Sequence, residues 1–158
     1  MSENGLATVI LLMREYQKKH DIKDQCLTNT QYAYDCWKQN GVSSVKAKAV
    51  IALGENDEGD LVLVMGHAIL SVDGLYFEPS YQVFSLKNVA YYDSIKDLKD
   101  SVSNAILKQY DLRQTLKHHI SFVKLAEGIN NGELLICDKK YYDDQADYVE
   151  DFFKAKKI

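Results

Sequence analysis

A histidine interrupts an apolar run in GHAILSVDGLYFEPS, from Gly66 to Ser80, and Glu78 and Pro79, the chain's single proline, follow it 11 and 12 positions later. Among Ala, Ile, Leu and Val an imidazole must find a hydrogen-bond partner or lose roughly 1 to 3 kcal/mol. The Glu78 carboxylate is the nearest candidate. A histidine oriented by a carboxylate is half of a nucleophilic centre, and a thiol or hydroxyl would supply the other half. Cys26 is the thiol best placed for it. Asp24 can cap a helix over CLTNTQYAYDCWKQN, which puts Cys26 in the first turn, where unpaired backbone N–H groups and the helix dipole favour a thiolate. The same N–H groups, with the Gln25 amide, can receive a developing oxyanion.

The elements that would bring these side chains together are legible in the pattern. Leu61 to Val72 is apolar on both alternating faces, as in a strand covered on both sides. Asp73-Gly74 is a two-residue hairpin signal, and Leu75 to Phe77 returns as the partner strand. If residue 72 faces 75, Glu78 lies opposite Ile69, on the face of His67 and diagonal to it, roughly 7 to 8 Å away at the backbone. Cys26, Thr30, Ala33 and Trp37 share one helix face, and Ala33 and Trp37 must pack inward, so Cys26 is aimed at the sheet.

Around this centre, residues 5–20 have helical spacing. VSSVKAKAVIALG from Val42 alternates as a strand, and GENDEGD is a turn. Beyond Tyr92 the pattern is helical: DSIKDLKDS, then one long stretch VSNAILKQYDLRQTLKHHISFVKLAEG, a short strand candidate ELLIC, and a terminal acidic helix, YDDQADYVEDFF, expected to present a solvated face. The expected architecture is α+β in a single domain over 1–158: N-terminal helices packed on an antiparallel sheet, with a helical C-terminal region. At 158 residues the chain can bury about two-thirds of its unfolded surface.

A net charge of −4 from 19 basic and 23 acidic residues leaves no electrostatic footprint for nucleic acid or an anionic membrane. Three widely spaced cysteines suit a reducing compartment and free thiols; Cys36 and Cys137 read as core. The early apolar run Leu6 to Met13 lacks a preceding basic residue and is followed by REYQKKH, unlike a signal peptide, and no run approaches the ~18 to 20 apolar residues of a membrane span. A soluble, cytoplasmic protein without a cofactor is expected. His118 and His119 point about 100° apart on a helix and cannot easily share a metal, and no zinc-ligand spacing exists. The 11 tyrosines read first as cover for the core edges; alternatively Tyr76, Tyr81 and Tyr91 form one wall of a substrate cleft.

A cysteine opening a helix in CLTNTQYAYDCWKQNGV, a strand beginning GHAILSVDG about 40 residues later, and a hairpin return ending YFEPS resemble the catalytic core of the transglutaminase-like branch of the papain-type thiol enzymes. The resemblance covers roughly residues 24–82. It implies a papain/transglutaminase-like core with Cys26 as nucleophile, His67 as general base, and Glu78 where the family usually has aspartate. The chain has DQC in place of Gly-x-Cys and HAI without the family's tryptophan. The activity implied is that of a thiol hydrolase, peptidase or amidase, or of an acyltransferase, acting on a peptide or protein amide through a thioacyl intermediate. Arylamine N-acetyltransferase-type acyl transfer, or a non-enzymatic interaction module on the same fold, are the alternatives.

Overall fold

Three consecutive antiparallel strands grow out of the alternating segments: β1 (Val45–Glu55), β2 (Leu61–Val72) and β3 (Leu75–Phe77), seen in a computed structural model that describes residues 3–134 and 138–156. Asp73 and Gly74 both take positive φ, 51° and 81°, the conformation that a two-residue hairpin with the right-handed strand twist demands. That turn fixes the pairing Val72↔Leu75, Ser71↔Tyr76 and Leu70↔Phe77. A fourth strand, β4 (Lys87–Tyr92), joins the far side of β1, so the order is β3-β2-β1-β4. Neither β4 nor the one-turn helix α3 (Tyr81–Phe84) before it is expected from the sequence pattern. The β2 pattern predicts cover on both faces throughout, but Val62 is 48% exposed and continuous burial begins only at Gly66.

Pairing and pleat sort the side chains. Ala47, Ala49, Ile51, Ala68, Leu70 and Tyr92 share one face; Lys48, Val50, His67, Ile69 and Tyr91 share the other. Helix α6 (Leu112–Asn130) packs on the first face, and Gly66 lets it come close: a Cβ there would lie 2.6 Å from the His119 backbone nitrogen. The main core joins the sheet to α1 (Glu3–Lys19), α2 (Cys26–Gln39) and α7 (Lys139–Lys156) through Leu6, Met13, Trp37, Leu70, Val72 and Val149. Trp37 is anchored as well as buried, its Nε1 donating to the Leu6 carbonyl at 3.2 Å and its ring meeting Phe77 edge-on at 5.0 Å. A smaller cluster around Ile51, Leu53, Leu98 and Leu107 ties α4 (Ile95–Ser101) and α5 (Asn104–Leu107) to the sheet.

The long helical stretch expected after Val102 is two helices. Ser103 accepts from the Ile106 N–H and starts α5, and Asp111 accepts from the Arg113 and Gln114 N–H groups at 3.1 and 3.2 Å and starts α6. Each cap satisfies first-turn donors that an uninterrupted helix would not leave exposed, so each marks a fresh start. The acidic α7 is not a wholly solvated face, since Tyr141, Gln145 and Val149 recur every four residues and are buried. The strand expected over ELLIC and the packing expected of Cys137 fall largely outside the described residues.

The strands are unequal in length, so two sheet edges are finished by side chains. Thr30 Oγ1 donates to the Ala68 carbonyl at 3.1 Å and Thr115 Oγ1 to the Val64 carbonyl at 3.4 Å, both beyond the end of β3. On β1, Asn130 accepts from the Ala47 N–H at 2.7 Å and donates to its carbonyl at 2.9 Å, standing in for a missing strand residue. Among the described residues no helix is long and apolar enough to cross a membrane.

Candidate active site

Cys26 is the first residue of α2 and is half-buried. Asp24 does not cap this helix: it sits one residue too early, at φ 60°, and its N–H donates to Gln82 Oε1 at 2.9 Å. The cap position belongs to Gln25, whose side chain makes no cap hydrogen bond and instead accepts from Thr28 Oγ1 at 3.3 Å. The first-turn N–H groups of α2 therefore have no side-chain cap from Gln25 beside the Cys26 thiol. One turn on, the Thr30 bond to Ala68 pins the helix against β2 beside His67, and the fully buried Ala33 continues the same face.

His67 is wholly buried in the interior strand β2. Its Nε2 lies 2.7 Å from Glu78 Oε1 and 2.9 Å from Oε2, so the residue just past β3 reaches the ring along the predicted diagonal. Glu78, itself buried, also accepts from the Tyr91 hydroxyl at 2.9 Å and the Ser80 N–H at 3.2 Å. Nδ1, the other ring nitrogen, has no conventional hydrogen bond among the described residues, and the Cys26 side chain also interacts with the imidazole. Burial alone would lower the His67 pKa; the Glu78 charge, with Cys26 beside the ring, outweighs it and raises the pKa from 6.5 to about 10.

A further cation stands behind the carboxylate. Arg14 of α1 donates from Nη1 to the Glu78 backbone carbonyl at 3.2 Å, and its guanidinium sits 3.7 Å above the Phe84 ring. Burial lowers the Arg14 pKa, while the Glu78 charge and Tyr91 counter that loss. In front of Cys26 opens a cleft of about 470 Å³ between α2, β2 and α6, with Val64, Gly66, Tyr110, Asp111, His118 and Phe122 in its walls.

Cys26, His67 and Glu78 are thus brought together, and the other expected site residues are not. Tyr76 is exposed, its ring edge-on to Tyr91 at 6.0 Å and under Lys48 at 5.2 Å. The Tyr81 N–H is bound to Gln17 Oε1 at 2.8 Å and its ring lies beside Lys18. Neither tyrosine lines the Cys26 cleft, nor does Gln25. Arg14 and the cleft residues of α6 are absent from the sequence reading as parts of this site, and Tyr91, expected there only as a cleft wall with Tyr76 and Tyr81, does not line the Cys26 cleft but bonds Glu78. Val89, Ala90, Tyr91 and Tyr92 give β4 no polar–apolar alternation, so only its pairing with β1, Ala52↔Tyr91, puts Tyr91 on the His67 face. Burial pushes the Cys36 thiol up, away from the helix start. Among the described residues no group of three side chains is arranged to hold a metal ion.

No family model, no curated protein and no solved structure matches this chain.

Proposed function

We propose that the chain is a cysteine-dependent hydrolase or acyltransferase for amide bonds, with a papain- or transglutaminase-like catalytic core. The observation that carries this reading is the division of labour on one buried ring: Nε2 of His67 is clamped by Glu78, while Nδ1 has no conventional partner and Cys26 lies beside the ring. A carboxylate that fixes the tautomer and favours the imidazolium leaves the opposite nitrogen to exchange a proton with the thiol.

In the reaction, the Cys26 proton resides on His67 and the sulfur attacks the amide carbonyl carbon. The C–O π electrons move to oxygen, and first-turn N–H groups of α2 receive that charge. As the carbonyl re-forms, the C–N bond breaks, His67 returns its proton to the leaving amine, and a thioester on Cys26 remains. Water then completes a peptidase or amidase cycle and an amine completes a transfer. The cleft in front of Cys26 accommodates a peptide or protein segment carrying the amide.

Iodoacetamide at pH 6, followed by mass-spectrometric mapping, tests the dyad. Cys26 should be alkylated at least ten times faster than Cys36, whose thiol burial suppresses. His67→Ala should slow Cys26 labelling about tenfold or more while the circular-dichroism spectrum stays native. Slow labelling of Cys26 in the parent, or labelling indifferent to His67, favours an interaction module instead.

A further inference from the structure

Glu78 has one methylene more than the aspartate it replaces in the resemblance, and so one more side-chain torsion to fix. Its terminal torsion is broad in any case. The bifurcated contact to His67 Nε2, at 2.7 and 2.9 Å, needs both oxygens in the plane of the ring nitrogen. Two donors hold that plane. Ser80 N–H takes Oε2 at 3.2 Å, but it is two residues along the same loop and moves with Glu78. The Tyr91 hydroxyl takes Oε1 at 2.9 Å from a different element, β4, which is registered on β1 by the pair Ala52↔Tyr91. Arg14 from α1 bonds the Glu78 backbone carbonyl, so it supplies field without orienting the carboxylate. Cys26 from α2 also interacts with the imidazole.

We infer that Tyr91 is a positioning residue of the Cys26–His67–Glu78 centre, fixing the Glu78 carboxylate and thereby the imidazolium; the inference rests on the thiol chemistry proposed above. The hydroxyl suits the role. Burial, and then the Glu78 charge, raise its pKa, so it stays a donor across the pH range of the reaction. Its ring is braced edge-on by Tyr76, which leaves the hydroxyl few other directions. Because a hydrogen bond to the charged form favours that form, losing this donor weakens the Glu78 anion and, through it, the protonated state of His67.

The test is Tyr91→Phe, which keeps the ring and removes only the hydroxyl. The midpoint of His67 titration, followed by NMR and assigned by its disappearance in His67→Asn, should move down by about one pH unit. The pH profile of Cys26 alkylation should move with it. In a Glu78→Gln background, Tyr91→Phe should add nothing further. Site-specific 3-fluorotyrosine at position 91, a stronger donor of the same shape, should move the midpoint the other way. An unmoved His67 midpoint, or an equal drop in the Glu78→Gln background, overturns the role of Tyr91. A Cys26 that is unreactive in the parent while the His67 shift persists overturns the thiol chemistry and leaves Tyr91 acting on the imidazole alone.

Discussion

His67 and His119 are both buried, on opposite faces of the same sheet, and they titrate in opposite directions. On α6, His119 packs where Gly66 admits the helix; its ring bonds the Ala49 backbone, its Nε2 has no partner, and burial lowers its pKa. His67 suffers the same desolvation, yet Glu78 reverses the outcome. Burial of an imidazole is thus no sign of chemistry by itself, and the carboxylate two strand positions away is what separates a core histidine from a site. A buried ion pair is also a weak stabiliser, since desolvation offsets much of its attraction. On the function proposed above, the His67–Glu78 pair acts through the neighbouring thiol.

The contrast between the two rings can be inverted. Glu78→Ala leaves His67 buried without its counter-charge, which should cost about 3 to 5 kcal/mol in urea unfolding. NMR titration should then find the His67 midpoint moved down, in the direction burial takes His119; a midpoint unmoved from the parent's would show that Glu78 is not the cause. Gly66→Ala acts on the other ring. The new Cβ would press on α6 backbone at His119, costing about 1 to 3 kcal/mol, and should admit water and bring the His119 midpoint back toward 6.5 while His67 stays put.

Stability against pH separates the two contributions in the parent. The folded pKa of His67 is raised, so its contribution is full below 6.5 and is lost as pH climbs toward about 10. His119 is depressed, so its contribution is present above 6.5 and is lost as pH falls below it. Urea midpoints should therefore decline on both sides of neutrality. His119→Gln, the mildest of these changes at about 1 kcal/mol near pH 7, should flatten only the acid side. An unchanged acid limb would remove His119 from the account.

How much of this is legible in the sequence follows from where the constraints are local. Asp73-Gly74 dictates a two-residue turn, the turn dictates register, and register delivers Glu78 to His67 without reference to the rest of the chain. The face shared by Cys26, Thr30, Ala33 and Trp37 is likewise a property of one helix. Tyr91 and Arg14 reach Glu78, the one at its carboxylate and the other at its backbone carbonyl, only through long-range packing: β4 is a six-residue strand whose place beside β1 no local turn announces, and Arg14 lies 64 positions from Glu78. The Asp24 misreading has a different origin. A capping residue type one position from the helix start looks like a cap, and only its φ of 60° and its bond to Gln82 show otherwise. Tyr76, Tyr81 and Tyr91 stand on three different elements, β3, α3 and β4, so no local pattern tells which of them reaches the Cys26 cleft, and none does.

Asn130 carries a consequence for assembly of the chain. Main-chain groups of β1 near Ala47, which β4 does not reach, form an open strand edge, and open edges recruit strands from other molecules. Asn130 closes this one with a two-point amide match, but it does so from the last turn of α6, 83 residues later in the chain. The β1–β2–β3 hairpins can form as soon as their own residues are made, whereas the seal arrives only when α6 docks. Protection of the β1 edge is therefore a long-range property: it depends on residues 83 positions away, and any change that loosens α6 from the sheet also reopens the edge.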